Sequence, residues 1–237
     1  MTASRREYRA DTEFTENMAG PDIFSILADK ELADTLKFIL EIGKLKSVIR
    51  QTYMPQQGRR ENTAEHSWHL MIMAILLQKQ SNEPVNIEHV LKMLSVHDLG
   101  EISKGDTIHY SKTDATNAEE KDFIYDLCSP LPIALKDEIL SLWNEFESGE
   151  TSDAKFARAL DRFQPFLYML QNGGESWQRN KITHAMALKK NAHIADGSQT
   201  LWNIYQILSN RAEEDGLFFI DSAVSAEALC TLREGKS

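Results

Sequence analysis

The stretch NIEHVLKMLSVHDLGE, residues 86–101, decides the fold class, because its apolar residues recur with the spacing of an α-helix. The apolar members of this stripe are Ile87, Val90, Leu91 and Leu94. The stripe continues onto three ionisable residues, His97, Asp98 and Glu101. Burying unpaired carboxylates is costly, so carboxylates on a core face need a cation or strong hydrogen-bond donors. The stretch therefore predicts a helix whose buried side ends in a polar site.

Helical periodicity extends outward from this stretch over most of the chain, and strand-like alternation is hard to find. Short connections that contain Gly or Pro separate the helical segments, and residues 102–116 form one long loop directly after the His-Asp pair. We therefore predict an all-α, compact domain of about eight helices. The expected helices span residues 30–50, 62–80, 86–101, 117–128, 133–147, 153–171, 178–192 and 197–214.

The length and charge of the chain limit its organisation and its partners. With 237 residues it can bury one substantial core, and we expect a polar arm over 1–25, one domain over 26–221 and a peripheral tail over 222–237. The formal net charge of −10 disfavours a general nucleic-acid-binding protein. No apolar run approaches the ~20 residues that cross a bilayer, and the N-terminus lacks the character of a signal peptide. We therefore expect a cytoplasmic protein with no membrane partner, in which Cys128 and Cys230 are free thiols.

Two further predicted helices also direct ionisable residues inward. His66 lies on an apolar face of helix 62–80, His69 follows one turn along, and Asp161 lies at the margin of the apolar stripe of helix 153–171. Each residue alone is weak evidence for a metal site. A single buried histidine is more often structural, and Asp161 could pair with Arg158 or Arg162 on the helix surface. With the His-Asp pair, however, three helices supply two imidazoles and two carboxylates. That set suits a divalent metal ion with open positions for water and a phosphate oxygen.

These motifs together resemble the HD-domain phosphohydrolase superfamily, whose defining pattern is H…HD…D. The pattern corresponds here to His66 in ENTAEHSWH, His97-Asp98 in SVHDLGE and Asp161 in ALDRFQP. The segments ENTAEHS, residues 61–67, and HDLGEISKGD, residues 97–106, are similar to the HD-domain 5'-deoxynucleotidase branch. The resemblance covers roughly residues 30–215 and implies the compact helical HD-domain fold.

The resemblance implies a ligand set and a catalytic group. One divalent metal ion, which could be Mn, Co, Fe, Mg or Zn, would be held by His66, His97, Asp98 and Asp161. Branches with two metals carry two additional histidines between the His-Asp pair and the last aspartate, whereas this chain has only His109 there. Glu101 matches the residue that orients or deprotonates the attacking water.

The resemblance also implies contacts with the substrate. Asp106 matches an aspartate that contacts the nucleoside, and Arg50 is the best match to an arginine that engages the phosphate. The family often has a tryptophan after that arginine, whereas this chain has Gln51, which leaves base and sugar preference open. Arg59 with its basic neighbour is a further phosphate candidate, or else part of a solvated basic pair. His69 is a further candidate for contact with the substrate.

The predicted reaction is metal-dependent hydrolysis of a phosphomonoester, with a small nucleotide, a (deoxy)nucleoside 5'-monophosphate, as the expected substrate. Two alternatives stay open: a nucleoside tri- or pyrophosphohydrolase of the same fold, and a non-catalytic regulatory HD module that binds a nucleotide. The complete ligand set with Glu101 disfavours the non-catalytic module. Members of the family are commonly dimers, which implies a homodimer, and Trp177 and Trp202 are candidates for its contact.

Overall fold

The computed structural model describes residues 22–103, 105 and 114–220, and the regular structure of this part is helical apart from one short hairpin. The all-α prediction is confirmed. The described helices are α1 Lys30–Ile42, α2 Thr63–Leu77, α3 Ile87–Val96, α4 Asp114–Cys128, α5 Ile133–Ser148, α6 Ser152–Gln171, α7 Glu175–Arg179, α8 His184–Asn191, α9 Ile194–Gly197 and α10 Gln199–Glu214. Short 3-10 helices span Ile23–Ile26, Gly43–Ser47, Gln78–Gln80 and Leu99–Ile102, and the strands are β1 Ile49–Tyr53 and β2 Arg60–Asn62.

Helix α6 lies at the centre of the domain. It packs against α2, α3, α5 and the short α9, and one apolar core gathers side chains from all of them. Phe156 and Leu160 on α6 are completely buried, as the helical spacing predicts. A second, smaller apolar cluster joins α1, α4 and α5. Helices α2, α3 and α6 are mutual neighbours in this arrangement, so their polar residues can meet.

Helix α2 begins directly after β2 with a capping box. The side chain of Asn62 accepts a hydrogen bond from the backbone N–H of Glu65 (2.9 Å), and the Glu65 carboxylate accepts one from the backbone N–H of Asn62 (3.0 Å). Two backbone donors that would otherwise lack partners are thereby satisfied. This cap fixes the start of the helix and sets His66 in its first turn, on the buried side.

The prediction of one helix over 30–50 is wrong beyond residue 42. Helix α1 ends at Ile42, a 3-10 helix follows, and β1 pairs with β2 as an antiparallel hairpin with Ile49 opposite Asn62. The hairpin turn contains residues with positive φ, Gln56 at 61° and Gly58 at 67°. Local periodicity misses such a strand, because its partner lies about ten residues away and only the pairing stabilises it.

The prediction of a helix over 86–101 is wrong in its last turn. Helix α3 ends at Val96, His97 caps it, and the chain tightens into the 3-10 helix Leu99–Ile102, in which the N–H of Glu101 bonds to the carbonyl of Asp98 (3.0 Å). A 3-10 turn is common at the end of an α-helix. The His-Asp pair therefore lies in the transition between two kinds of helix.

The predicted helix 178–192 is divided in two. Lys181 has a positive φ of 55° and separates α7 from α8, and α9 is an additional short helix. Trp177 on α7 is buried in the core of the monomer, where its ring stacks on Phe218 at a centroid distance of 4.1 Å. The expectation that Trp177 forms a dimer contact is therefore wrong, and Trp202 packs partly buried against the same core.

Part of the predicted N-terminal arm lies within the described residues. Residues 23–25, assigned to the polar arm, belong to the 3-10 helix Ile23–Ile26, which Asp22 caps, and Asp22 forms an ion pair with Lys37 on α1 at 2.8 Å. The rest of the arm and the tail 222–237 lie outside the described residues. Across residues 22–103 and 114–220, no helix combines the length and the apolar character needed to cross a membrane.

Helix α9 approaches α6 more closely than a side chain allows. A Cβ added to Gly197 would lie 2.1 Å from the carbonyl oxygen of Lys155 and 2.9 Å from Cβ of Ala159. Because backbone atoms cannot move aside cheaply, we expect Gly197→Ala to lower the free energy of unfolding by about 3 kcal/mol or more. Urea unfolding measures this loss. Gly43→Ala is the control, since Gly43 has a helical φ of −58° and an added Cβ there would have no atom within 4 Å. Equal stability of the two variants would contradict the close contact at Gly197.

Candidate metal centre

Side chains from separate helical segments meet beside the core. His66 comes from the first turn of α2, and His97 and Asp98 follow the end of α3. One ligand atom of each of these three residues lies within 4.8 Å of the others, and both imidazoles are buried. Two imidazole nitrogens and a carboxylate oxygen at such spacing could hold a divalent metal ion. The structure therefore brings together three of the four predicted ligands.

The fourth predicted ligand, Asp161 on α6, lies at the edge of this group. Its Oδ1 is 2.9 Å from Nε2 of His66 and 3.9 Å from Nε2 of His97, and its Oδ2 is 3.2 Å from Nη2 of Arg162. Asp161 is not part of the 4.8 Å group that the described residues form. Its position fits both interpretations made from the sequence, a ligand and a partner of a neighbouring arginine.

The orientation of the two imidazole rings suits a metal. Nδ1–H of His97 donates to the carbonyl oxygen of Leu94 (2.9 Å), and Nδ1 of His66 lies 3.1 Å from Oε1 of Gln164. A neutral histidine that donates from Nδ1 keeps its lone pair on Nε2. Nε2 of His97 is buried without a hydrogen-bond partner among the described residues, and Oδ2 of Asp98 lies 3.1 Å from it. A buried imidazole nitrogen this close to a carboxylate oxygen needs a proton or a metal ion to bridge the two, so this donor set fits a divalent ion.

The charges of the centre favour a cation as well. Burial lowers the pKa of each histidine, but neighbouring carboxylates raise it by more. Asp161 and Glu61 act on His66, and Asp98 acts on His97, so both pKa values lie above that of an ordinary histidine. Burial raises the pKa of Asp98, yet His97 and Arg50 hold it below its usual value. Burial also raises the pKa of Asp161, and Arg162 and His66 outweigh that effect. The carboxylates are therefore ionised at neutral pH and attract positive charge.

Glu101 and Arg50 lie beside the centre. The Glu101 carboxylate is buried, and its Oε2 accepts a hydrogen bond from the hydroxyl of Thr63 at 3.0 Å. Arg50 on β1 donates from Nη1 to Oδ2 of Asp98 (3.0 Å) and lies 3.8 Å from Oε2 of Glu101. One guanidinium therefore contacts both the candidate ligand and the predicted catalytic carboxylate. The hairpin that sequence periodicity missed is the element that positions it.

The other predicted substrate residues lie further out. Arg59 is exposed, and its guanidinium makes two hydrogen bonds to Glu65, from Nη2 to Oε1 (2.7 Å) and from Nη1 to Oε2 (2.9 Å). His69 is partly buried, with Nδ1 3.2 Å from Nε2 of Gln164 and 3.1 Å from the hydroxyl of Tyr168. The structure therefore joins His69 to the centre through Gln164 and leaves Arg59 paired at the surface. Asp106 lies outside the described residues.

Two buried polar residues of the centre received no role from the sequence. Glu61 on β2 and Gln164 on α6 are almost completely buried and bonded to each other, from Nε2 of Gln164 to Oε1 of Glu61 at 3.0 Å. Gln164 lies four residues after Leu160, on the apolar stripe of the helix, and a polar residue there was a usable signal. Glu61 lies on no apolar stripe, and its signal was its place at the start of the ENTAEHS segment, residues 61–67; the short hairpin turns it inward.

Comparison with known proteins agrees with this geometry. The HD domain family matches residues 42–202. The 5'-deoxynucleotidase HDDC2 of Xenopus laevis is 29% identical over 139 residues, which cover 57% of this chain and 68% of that protein. The 5'-deoxynucleotidase HDDC2 of Dictyostelium discoideum is 28% identical over 162 residues, covering 64% of this chain and 84% of that protein.

Two solved structures share the fold of this chain. The crystal structure of a predicted metal-dependent phosphohydrolase from Magnetospirillum magnetotacticum MS-1 is 38% identical, with a TM-score of 0.77, and the match covers 81% of this chain and 97% of that one. An HD-domain phosphohydrolase from Listeria innocua, 15% identical with a TM-score of 0.51, shares the fold over 74% of this chain and 83% of that one. The chain therefore belongs to the HD domain family, and 5'-deoxynucleotidases are among the relatives that it is similar to.

Proposed function

We propose that this protein is a metal-dependent phosphohydrolase that converts a (deoxy)nucleoside 5'-monophosphate into the nucleoside and inorganic phosphate. The observation that carries the proposal is the group of two buried imidazoles, His66 and His97, and the Asp98 carboxylate, with Glu101 and Arg50 beside it. The names of the relatives, 5'-deoxynucleotidases, support the same class of substrate. We further propose one metal ion per chain and a homodimer.

Four side chains would hold the metal: His66, His97, Asp98 and Asp161. The two imidazoles would bind through Nε2, because each Nδ1 has an acceptor of its own. When bound, a divalent ion supplies Lewis acidity toward a phosphoryl oxygen and activates a water molecule. The oxygen and nitrogen donors of this set accept several divalent ions, so the site does not select one by ligand chemistry alone.

Glu101 and Arg50 perform the chain's own part of the reaction. Glu101 orients the attacking water and accepts its proton on the carboxylate, which the Thr63 hydroxyl holds in place at 3.0 Å. Arg50 balances the negative charge that spreads over the phosphoryl oxygens as the bond to the leaving group breaks. The contact of Arg50 with Asp98 keeps its guanidinium beside the centre before substrate binds.

The outer residues contact the rest of the substrate in this proposal. Asp106 binds the nucleoside, and His69 and Arg59 are further substrate contacts. Arg59 can reach a phosphate only after it leaves Glu65, and that step weakens its contribution, because the two hydrogen bonds to the carboxylate are lost. Nucleoside triphosphates, the alternative substrates, carry more negative charge and would need more basic side chains than Arg50 and Arg59 supply.

A nucleotide panel tests the proposal. Protein loaded with each of several divalent metals is incubated with deoxy- and ribonucleoside mono-, di- and triphosphates, and released phosphate and pyrophosphate are measured. We expect phosphate from monophosphates and little from triphosphates, and chelator treatment should abolish the activity. Release of pyrophosphate or triphosphate from a triphosphate would favour the second hydrolase class. Nucleotide binding with no turnover under any metal would contradict an enzymatic role.

A further inference from the structure

The buried amide of Gln164 lies between the carboxylate of Glu61 and the imidazole of His66, one of the candidate ligands. Gln164 lies on α6 three residues after Asp161 and is completely buried. Its Oε1 is 3.1 Å from Nδ1 of His66, and its Nε2 donates to Oε1 of Glu61 at 3.0 Å. Glu61 is buried to nearly the same degree, and its Oε2 lies 3.5 Å from Nδ1 of His66 and 3.8 Å from Nε of Arg50, beyond the shorter contact that Gln164 makes with the same imidazole. Both ends of the amide are therefore engaged, and on different chemical groups.

The contact with Glu61 determines the orientation of the Gln164 amide. An ionised carboxylate can only accept hydrogen bonds, so the NH2 group of Gln164 must face Glu61. The carbonyl oxygen is left to face His66, where it accepts a hydrogen bond from Nδ1–H. Nε2 lies 2.9 Å from Oδ1 of Asp161, and when a metal ion replaces the proton there, the remaining proton of the ring stays on Nδ1, where Gln164 accepts it.

We infer that Glu61 and Gln164 form a tautomer relay that holds His66 in the form able to bind a metal through Nε2. The inference deepens the proposed function, since it rests on His66 as a ligand of the same centre. Glu61 and Gln164 are positioning residues, because they act through His66 and not on the substrate. The second amide hydrogen of Gln164 points to Nδ1 of His69 at 3.2 Å, so the relay continues outward to a partly buried imidazole.

His97 needs no such relay. Its Nδ1–H donates to the backbone carbonyl of Leu94, an acceptor that no side-chain substitution removes. The tautomer of His66 depends on two side chains, whereas that of His97 depends on the backbone of α3. Substitutions in the relay should therefore change the state of His66 and leave the state of His97 unaltered, which provides a control inside the same molecule.

The first measurement is the affinity for Zn²⁺, a diamagnetic probe, by competition with a chelator. Gln164→Met keeps the bulk of the side chain and loses its hydrogen bonds, and we expect zinc binding to weaken roughly 10–100-fold, as for other partners of ligating histidines. Gln171→Met is the matched control, because Gln171 is exposed at the end of the same helix. Wild-type affinity in Gln164→Met would overturn the relay.

The second measurement separates the relay from packing. In the double variant Glu61→Gln with Gln164→Glu, the amide and the carboxylate exchange places, and an acceptor again faces Nδ1 of His66. We expect zinc affinity close to wild type, and NMR of the ¹⁵N-labelled, zinc-loaded protein should show His66 protonated at Nδ1. A double variant that folds but binds zinc as weakly as Gln164→Met would overturn the relay.

The single variant Glu61→Gln covers the case in which Gln164→Met does not fold. It preserves the size of every group and removes the charge that orients the amide and that lies 3.5 Å from Nδ1 of His66. We expect weaker zinc binding and loss of a single, well-defined Nδ1–H signal for His66. A wild-type affinity and spectrum would overturn the relay and leave the proposed function intact. Wild-type protein that binds zinc with the expected pattern but hydrolyses no nucleotide would contradict the proposed function and support the relay.

Discussion

Asp98→Asn is expected to remove most of the bound metal and to lower nucleotide hydrolysis by about 1000-fold or more. The substitution keeps the shape of the side chain but removes the charge that lies 3.1 Å from Nε2 of His97. A metal ion supplies several kcal/mol of transition-state stabilisation, and each ~1.4 kcal/mol corresponds to a tenfold change in rate. Elemental analysis after gel filtration gives the metal content, and phosphate release gives the rate.

The same substitution also removes one ionic partner of Arg50, and a second variant separates the two effects. Arg50 donates to Oδ2 of Asp98, so its guanidinium loses an ionic partner when that carboxylate becomes an amide. Asp161→Asn removes the other carboxylate and does not disturb Arg50. We expect it to lose metal as well, and a full stoichiometry of metal in Asp161→Asn would remove Asp161 from the ligand set.

Glu101→Gln is expected to keep its metal and to lose about 100- to 10,000-fold in turnover, the range for a general base. The amide oxygen can still accept the hydrogen bond from Thr63, so the side chain should stay in place. It cannot accept a proton from water, which is why the loss should appear in kcat and not in the metal content. Steady-state kinetics and elemental analysis of the same preparation measure both.

A matched control for this variant lies one helix earlier. Glu88→Gln makes the same chemical change at an exposed position in the first turn of α3. Its turnover should equal that of the wild type, because surface charges in water contribute little to a buried reaction. Full turnover in Glu101→Gln would mean that another group accepts the proton.

The sequence predicted the helices that have a continuous apolar stripe. It missed the elements whose structure depends on pairing with another segment of the chain. The spacing in residues 153–171 predicted α6 almost to the residue, because one apolar stripe runs along its whole length. The strand β1 was predicted as helix, since its pairing with β2 cannot be read from either segment alone. The end of α3 was misplaced for a related reason: a 3-10 helix keeps nearly the same side-chain spacing for one turn.

The structure brings His66, His97 and Asp98 together as the sequence predicted, whereas the residues that support them were predicted less well. His66 and His97 lie on apolar stripes, so their burial followed from the sequence, and both are buried. The roles of the predicted ligands and of Glu101 stay predictions until the variants are measured. Gln164 was missed although it lies on an apolar stripe, because an uncharged amide gives a weaker signal than a carboxylate. Arg50 was placed by resemblance, and only the hairpin explains how it reaches Asp98.

The convergence of α2, the end of α3 and α6 has a thermodynamic consequence. These segments are far apart along the chain and have no reason to meet when it is unfolded, so the native state alone presents the complete set of donors. A ligand that binds only the native state stabilises it according to its free concentration, by roughly 2.7 kcal/mol at a hundred times its dissociation constant. In the proposed function, stability and metal supply are therefore coupled, and a cell poor in the ion would hold less of this protein in its folded form.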